Sequence, residues 1–573
     1  MQREPPSNEE KSRRIVDVCA WRKSGGKGTP RTLPSVTKNL NFPAFVHGSF
    51  GACWALLFAC LGGCATGESY DESTVFRYNE SAAITSLDPA AARSLEHMWV
   101  VDQLYDGLVE LDGELNIQPC LAESWVVDEA GLTYTFRLRE GVQFSTGNPV
   151  TATDVVQSLE RLRSGEVPSS GGWILEQVTR GGIVALNDHE VQITLNRPYP
   201  PFLGLLTTAY GSIIDAKHRE SLRDTPAGSG PFVLAWWLPD AGLVLHKNQG
   251  YWERDEEGRA LPYLEAVHVD VVTDMGAEYL GLAQGRYDFM SGLHPAYMET
   301  LLDQDGELRD VHRSSLRLAR TPFLKTDYLG VVLDGEETPD ALKDVRVRRA
   351  MSMAIDRRGL VKHLRRNVVF PTDHFVPPSM LGLAEPVAVS QQVDSALLLL
   401  EEAGYPEGKG VETIVLSTTS DYVDLCAALQ HDWQRIGLDV KVDVVPASVH
   451  RERVAMGETA MFYKSWLADH ADAENFLALF VRSNFAPNGP NYTHYEHEVF
   501  EQGFAQAMAS TGGPSDRWEQ YRKLDALLHQ DMPVIPLFHD QVSHFVNVDV
   551  EGWQVHPVNR LDLRRVRKGN RSD

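Results

Sequence analysis

Residues 413–445 read TIVLSTTSDYVDLCAALQHDWQRIGLDVKVDVV, and three patterns follow one another within them. Thr413 to Ser417 and Val440 to Val445 are short β-rich runs, while Tyr422 to Ile436 places apolar residues at helical spacing between them. A strand, a helix and a second strand predict a βαβ unit, and so an α/β fold rather than an all-helical or all-β one. Working outward, Val345 to Ile355 and Ala396 to Ala403 read as helices, the second ending at Gly404. Towards the amino end, strands are expected at Thr74 to Tyr78, Tyr134 to Arg139, Ile193 to Leu195 and Val267 to Val272. Helices are expected at Ser94 to Leu104, Ala152 to Leu162 and Gly276 to Gln284. The sharp turn Gly228-Ser229-Gly230-Pro231 leads into Phe232 to Leu234, with Leu243 to His246 as its hairpin partner.

At 573 residues the chain exceeds a usual domain, so two or three domains with their own cores are expected. Its net charge of -25 repels a polyanion, and no basic stripe interleaved with aromatics occurs, so nucleic acid is excluded as a partner. No nucleophile elbow, zinc-protease motif, phosphate loop or dinucleotide fingerprint is found; no catalytic residue and no cofactor is assigned. The cysteines form no C-x-x-C pair, and Cys120 and Cys426 are read as two separate buried thiols rather than a disulfide. His494 with His497, and His539 with His544, have no third ligand in register and are read as surface histidines; no metal is assigned.

Residues 1–63 are read as an extension followed by an export signal whose apolar core begins at Phe50. The core ends in Leu61-Gly62-Gly63-Cys64, which resembles a bacterial lipobox, so Cys64 is expected to be acylated and residues 64–73 to form a tether. Acyl chains add about 0.8 kcal/mol per buried CH₂, enough in combination to hold the protein at a membrane surface. A periplasmic or cell-surface location, membrane-attached by that lipid anchor, follows.

A collinear series of stretches carries a wider resemblance. It runs through Leu87-Asp88-Pro89-Ala90, Tyr105-Asp106-Gly107-Leu108-Val109, Leu121-Ala122-Glu123-Ser124-Trp125 and Gly228-Ser229-Gly230-Pro231-Phe232. It continues with Val345 to Ala350, Ala354-Ile355-Asp356-Arg357, Asp432-Trp433-Gln434-Arg435-Ile436-Gly437 and Pro533-Val534-Ile535-Pro536-Leu537. In this order they resemble the family 5 solute-binding proteins of bacterial ABC transporters, the oligopeptide-, dipeptide- and nickel-binding group. The resemblance implies a two-lobed periplasmic binding protein-like fold of type II with an extra N-terminal subdomain and a ligand cleft between the lobes. It places lobe I at residues 74–110, 227–325 and 535–573, an inserted subdomain at 111–226 and lobe II at 326–534. A monomer that hands a peptide to the permease subunits of an importer is the implied function, without catalysis.

In peptide-binding relatives a carboxylate in an aromatic-flanked loop meets the ligand's α-amine. Here Trp466-Leu467-Ala468-Asp469-His470-Ala471-Asp472 occupies that region, making Asp469 the expected anchor, Asp472 its neighbouring rival and Trp466 an apolar wall. Dipeptide binders also use an arginine before the Asp-Trp helix, whereas this chain has Ser417, Thr418 and Thr419 there. That departure argues against strict free-dipeptide binding, and the hydroxyls are candidates for contacts to a longer chain. Other readings are a receptor for a non-peptide solute, such as an oligosaccharide or metal chelate, and a peptide scavenger or chaperone uncoupled from uptake.

Overall fold

A computed structural model describes residues 71–569 except 166, 168, 293, 385–388 and 512–513. The extension, the signal, Cys64 and most of the tether lie outside the described residues. Among the described residues no helix is long and apolar enough to cross a membrane.

The strands that build the molecule are, along the chain, β1 (Val75–Glu80), β2 (Ala122–Val127), β3 (Thr133–Leu138), β4 (Val178–Asn187), β5 (Glu190–Leu195), β6 (Phe232–Leu238), β7 (Gly242–Lys247) and β8 (Ala266–Val271). They continue as β9 (Phe289–Ser291), β10 (Leu316–Val331), β11 (Phe370–Pro371), β12 (Ile414–Thr418), β13 (Val440–Val444), β14 (Met461–Leu467) and β15 (Val534–Asn547). One 11-stranded sheet runs β13-β12-β14-β10-β15-β9-β1-β8-β7-β6, with β11 beside β15. The expected βαβ unit is present: β12 and β13 pair in parallel, Ile414 opposite Val440, and the helix Val423–Gln434 crosses between them. The two long strands β10 and β15 pair antiparallel and carry the chain between two lobes. A second sheet of four strands, β2-β3-β5-β4, forms the subdomain.

Each body has its own core. Phe136, Leu159, Ile193 and Phe202 close the subdomain; Phe76, Tyr78, Val267 and Phe289 belong to a cluster shared by β1, β8 and β9. Trp433, Met351, Leu416 and Met461 lie in a third cluster, which also takes in Leu282, Tyr297 and Leu301. Phe375, Phe462, Phe476 and Tyr521 form a fourth.

The motifs that carry the family resemblance turn out to be joints between elements that are distant in sequence or caps that start them. Fully buried Trp433 donates from its indole to Met351 O at 3.0 Å, and Asp432 accepts from the Asp356 amide at 2.8 Å. Arg357, buried, spends its guanidinium on Pro536 O at 2.9 Å and on Ser352. Ser229 donates to Asp106 at 2.9 Å, and a Cβ on Gly228 or Gly230 would run into the Leu104–Tyr105 backbone, which is why glycine stands at both. The helix Ala152–Ser164 starts on a capping box in which the Thr151 amide donates to Asp154 Oδ2 at 3.0 Å.

Cys120 and Cys426 are both buried free thiols. Burial pushes the Cys426 thiol up to about 11, so it is inert as a nucleophile. The reading of His539 and His544 as surface residues is corrected: they are 2% and 1% exposed. Both lie on β15, which is covered on both faces, so its polar residues point into protein rather than solvent.

Candidate functional site

Strand β14 pairs antiparallel with β10, bringing Leu467 opposite Lys325. The Ala468 amide makes a last hydrogen bond to Leu324 O at 2.9 Å, after which the chain leaves the sheet and Asp469 is exposed. Asn475 organises this loop. Its Oδ1 accepts from Trp466 Nε1 at 2.9 Å and from the Asp469 amide at 3.2 Å, while its Nδ2 donates to Asp469 Oδ2 at 3.3 Å. Trp466 is half-buried against the cluster that contains Phe462 and Phe476.

The subdomain closes over the same loop. His470, 4% exposed, lies beside Trp173, their ring centroids 6.4 Å apart, and its Nε2 is 3.3 Å from the Glu474 carboxylate. Glu474 in turn accepts from Tyr199 of the subdomain at 3.0 Å. Burial lowers the His470 imidazole's affinity for a proton, but Glu474 more than reverses this and holds it above its ordinary value. Tyr210 stands near Asp469 as well; burial raises its phenol, with Arg93 lowering and Asp469 raising it.

Asp472 is placed differently. Its carboxylate accepts from Arg517 at 2.5 Å and from Tyr521 at 2.7 Å, and caps the Glu474 amide at 3.0 Å. The pair is almost fully enclosed, with side-chain exposures of 3% for Arg517 and 10% for Asp472. A cavity of about 310 Å³ lies over it, lined by Tyr134, Tyr199 and Trp518 among others.

A second cavity, of about 270 Å³, opens where β10 and β15 cross; Phe323, Lys325, Arg365, Tyr422, Phe538 and Asp540 line it. Lys325 is 2.8 Å from Asp540 and 3.2 Å from Asp327. Burial works against its charge, but these two carboxylates hold the ammonium well above the usual lysine range. Asp327 also accepts from Tyr463. Arg365 differs from Lys325: its guanidinium lies over the rings of Phe538, at 5.3 Å, and Tyr422, at 6.0 Å, and makes no ion pair with a described residue. Its Nε is shut off from solvent without a hydrogen-bond partner. A guanidinium so placed is suited to an acidic group on a bound molecule.

The hydroxyl-rich segment divides. Ser417 is fully buried and shares a 2.9 Å hydrogen bond with His450, and the buried Thr418 hydroxyl has no hydrogen-bond partner. Thr419, half-buried, leads into the short turn Ser420–Tyr422 that delivers Tyr422 to the second cavity. His494 and His497 do not share a helix: His494 sits in a left-handed turn at φ 49° beside Asp334, and His497 immediately precedes the helix Glu498–Met508. Lys325, Arg365 and Asp540 were not singled out by sequence, because they come from widely separated segments and carry no local signature.

Comparisons with known proteins bear on the family and the fold. The profile of "Bacterial extracellular solute-binding proteins, family 5 Middle" matches residues 116–488. The chain is similar to the dipeptide-binding protein of Escherichia coli strain K12, at 26% identity over 493 residues, covering 81% of this chain and 88% of that one. It is similar to the glutathione-binding protein of the same strain, at 26% identity over 483 residues and 82% and 90% coverage. Among solved structures, an ABC transporter-associated periplasmic binding protein of Helicobacter pylori in complex with a peptide superposes with a TM-score of 0.67 at 26% identity, covering 86% and 98%. The unliganded open form of a periplasmic murein tripeptide-binding protein shares the fold, with a TM-score of 0.76 at 23% identity over 87% and 98%. The chain therefore belongs to the bacterial extracellular solute-binding proteins of family 5, which are binding proteins rather than enzymes.

Proposed function

We propose that this protein is the substrate-binding lipoprotein of an ABC importer, capturing short peptides between its lobes for delivery to a membrane permease. One observation carries the peptide reading: the exposed carboxylate of Asp469, in the loop after β14, and the guanidinium of Arg365, at the cavity beside β10 and β15, each make no ion pair among the described residues. A free peptide presents the complementary pair, an ammonium and a carboxylate. Arg365 takes the role for which residues 417–422 offer no arginine. In this reading Trp466 and Thr419 contact the ligand, whereas Asp472, Ser417 and Thr418 support the loop and strand from behind.

The names of the relatives, a dipeptide-binding and a glutathione-binding protein, support the same chemistry. Lobe I is read as 74–110, 227–325 and 535–573, the subdomain as 111–226 and lobe II as 326–534, closing as hinged bodies about β10 and β15 with a ligand that binds the closed state better. Cys64 carries the lipid, and the body acts as a monomer. Calorimetric titration with a mixed tripeptide pool, free and N-acetylated, tests this: binding of the free pool and loss with the acetylated one is the expected result. Equal binding of both would remove Asp469 as the ammonium anchor.

A further inference from the structure

We propose that Asp373, His374 and His529 form a binding site for a divalent transition metal, with zinc the ion best suited to two imidazoles and one carboxylate. One donor atom from each of the three lies within 4.8 Å of the other two. The site is distinct from the peptide cleft and does not depend on how that cleft is read.

The fold assembles these residues from two directions. Strand β11 pairs with β15, Phe370 opposite His539, and the Thr372 amide donates to Leu537 O at 3.1 Å. The chain then leaves the sheet edge with Asp373 and His374 facing the helix Pro514–Asp531. That helix carries Asp525 and His529 one turn apart, on one face. The two imidazoles stack with ring centroids 4.7 Å apart and planes 5° from parallel, and His374 Nε2 is 4.0 Å from Asp373 Oδ1.

Both histidines are held as ligating histidines are. His374 Nδ1 is 2.6 Å from Asp525 Oδ2, and His529 Nδ1 is 3.0 Å from the Asp373 carbonyl oxygen. With each Nδ1 engaged, the Nε2 atoms are the donors left over, and carboxylate or carbonyl support of this kind fixes the tautomer a metal needs. Asp525 is itself fixed, its other oxygen accepting from the Phe375 and Val376 amides at 3.1 Å. Asp373 Oδ1 is shut off from solvent and has no hydrogen-bond donor, an expense that a cation would relieve. Arg357 is near enough to feel the charge of Asp373, but its donors are taken by Pro536 and Ser352. His539, close to His374, bonds Thr326 at 2.9 Å. Tilting the two stacked rings towards each other would bring the three donors to one ion, which would brace residues 370–376 against the helix.

The test is zinc titration of the metal-free full chain against a chromophoric chelator, with melting temperature read alongside. One tight equivalent should bind the native chain, be at least tenfold weaker in H529Q and in D373N, and be retained in H494Q. Zinc should also raise the melting temperature of the native chain and of H494Q but not of H529Q or D373N. The second-sphere variant D525N should weaken binding about 10- to 100-fold. Any zinc taken up by the amino-terminal cysteines is common to all variants and cancels in the difference. Identical titrations for the native chain, H529Q and D373N would overturn the proposal.

Discussion

Asn475 donates to one oxygen of Asp469 across 3.3 Å and accepts, with the other end of the same amide, from the indole of Trp466 at 2.9 Å. The carboxylate is thereby oriented without being neutralised. A neutral amide fixes direction and leaves the full negative charge uncompensated, which a lysine or arginine in its place would not. Orientation without neutralisation separates the roles of the two residues.

Replacing Asp469 by Asn keeps the shape and removes the charge. Loss of one member of a charge-assisted pair costs about 2 to 5 kcal/mol in binding, so affinity for free peptides should fall roughly 30-fold or more. Asp469 is exposed, so the unfolding midpoint should stay within experimental error. Asn475→Ala should cost less, about tenfold, since the charge survives. Calorimetry on both variants checks the order.

Arg365→Gln should weaken peptides with a free carboxyl terminus and leave their amidated counterparts unchanged. The guanidinium makes no ion pair among the described residues, so stability should change little. A double cycle of residue against ligand terminus isolates the pairwise energy. Equal loss for acid and amide would assign Arg365 to packing on Tyr422 and Phe538 instead.

Arg517→Met leaves Asp472 buried beside Tyr521 without its cation. Breaking an enclosed pair from one side costs about 3 to 5 kcal/mol of stability. Urea unfolding should show that loss, while the peptide affinity of the folded fraction stays within a few-fold. Unchanged stability with abolished binding would instead make Asp472 a ligand residue.

His544 gives a pH signature. It bonds Asn559 at 2.9 Å and packs on Phe289 and Trp553, and burial pushes its imidazole down to about 4. The unfolded chain protonates this histidine near 6.5, so the folded state is at full advantage above that value and loses it as pH falls towards 4. Asp102 and Asp106, raised by burial to about 6, act in the opposite sense, so the comparison must be with a variant. The stability difference between the native chain and H544N should shrink between pH 7 and 4.5. A constant difference would show that the imidazole takes up no extra proton on unfolding.

Much of the fold was legible because its joints are local in sequence. Trp433 with Met351, Asp432 with Asp356, and Ser229 with Asp106 are tertiary contacts, yet each partner sits inside a short stretch with its own spacing and turn chemistry. The loop around Asp469 was legible for the same reason, since Trp466, Asp469 and Asp472 fall within seven residues. Which carboxylate is paired was not, because Arg517 and Tyr521 reach Asp472 from a distant helix. Ser417 and Thr418 look like loop hydroxyls but form the buried end of a strand, so Ser417 turns to His450 and neither side chain reaches solvent. The second cavity was invisible for a third reason: Lys325, Arg365 and Asp540 meet only where two crossing strands and a helix end converge.

The most direct test of the central claim is mass spectrometry of what is released on denaturing protein purified gently from its host. A heterogeneous set of short peptides, lost from the Asp469→Asn variant, is the expected result. A single non-peptide compound, or no peptide even after incubation with a random library, would contradict it.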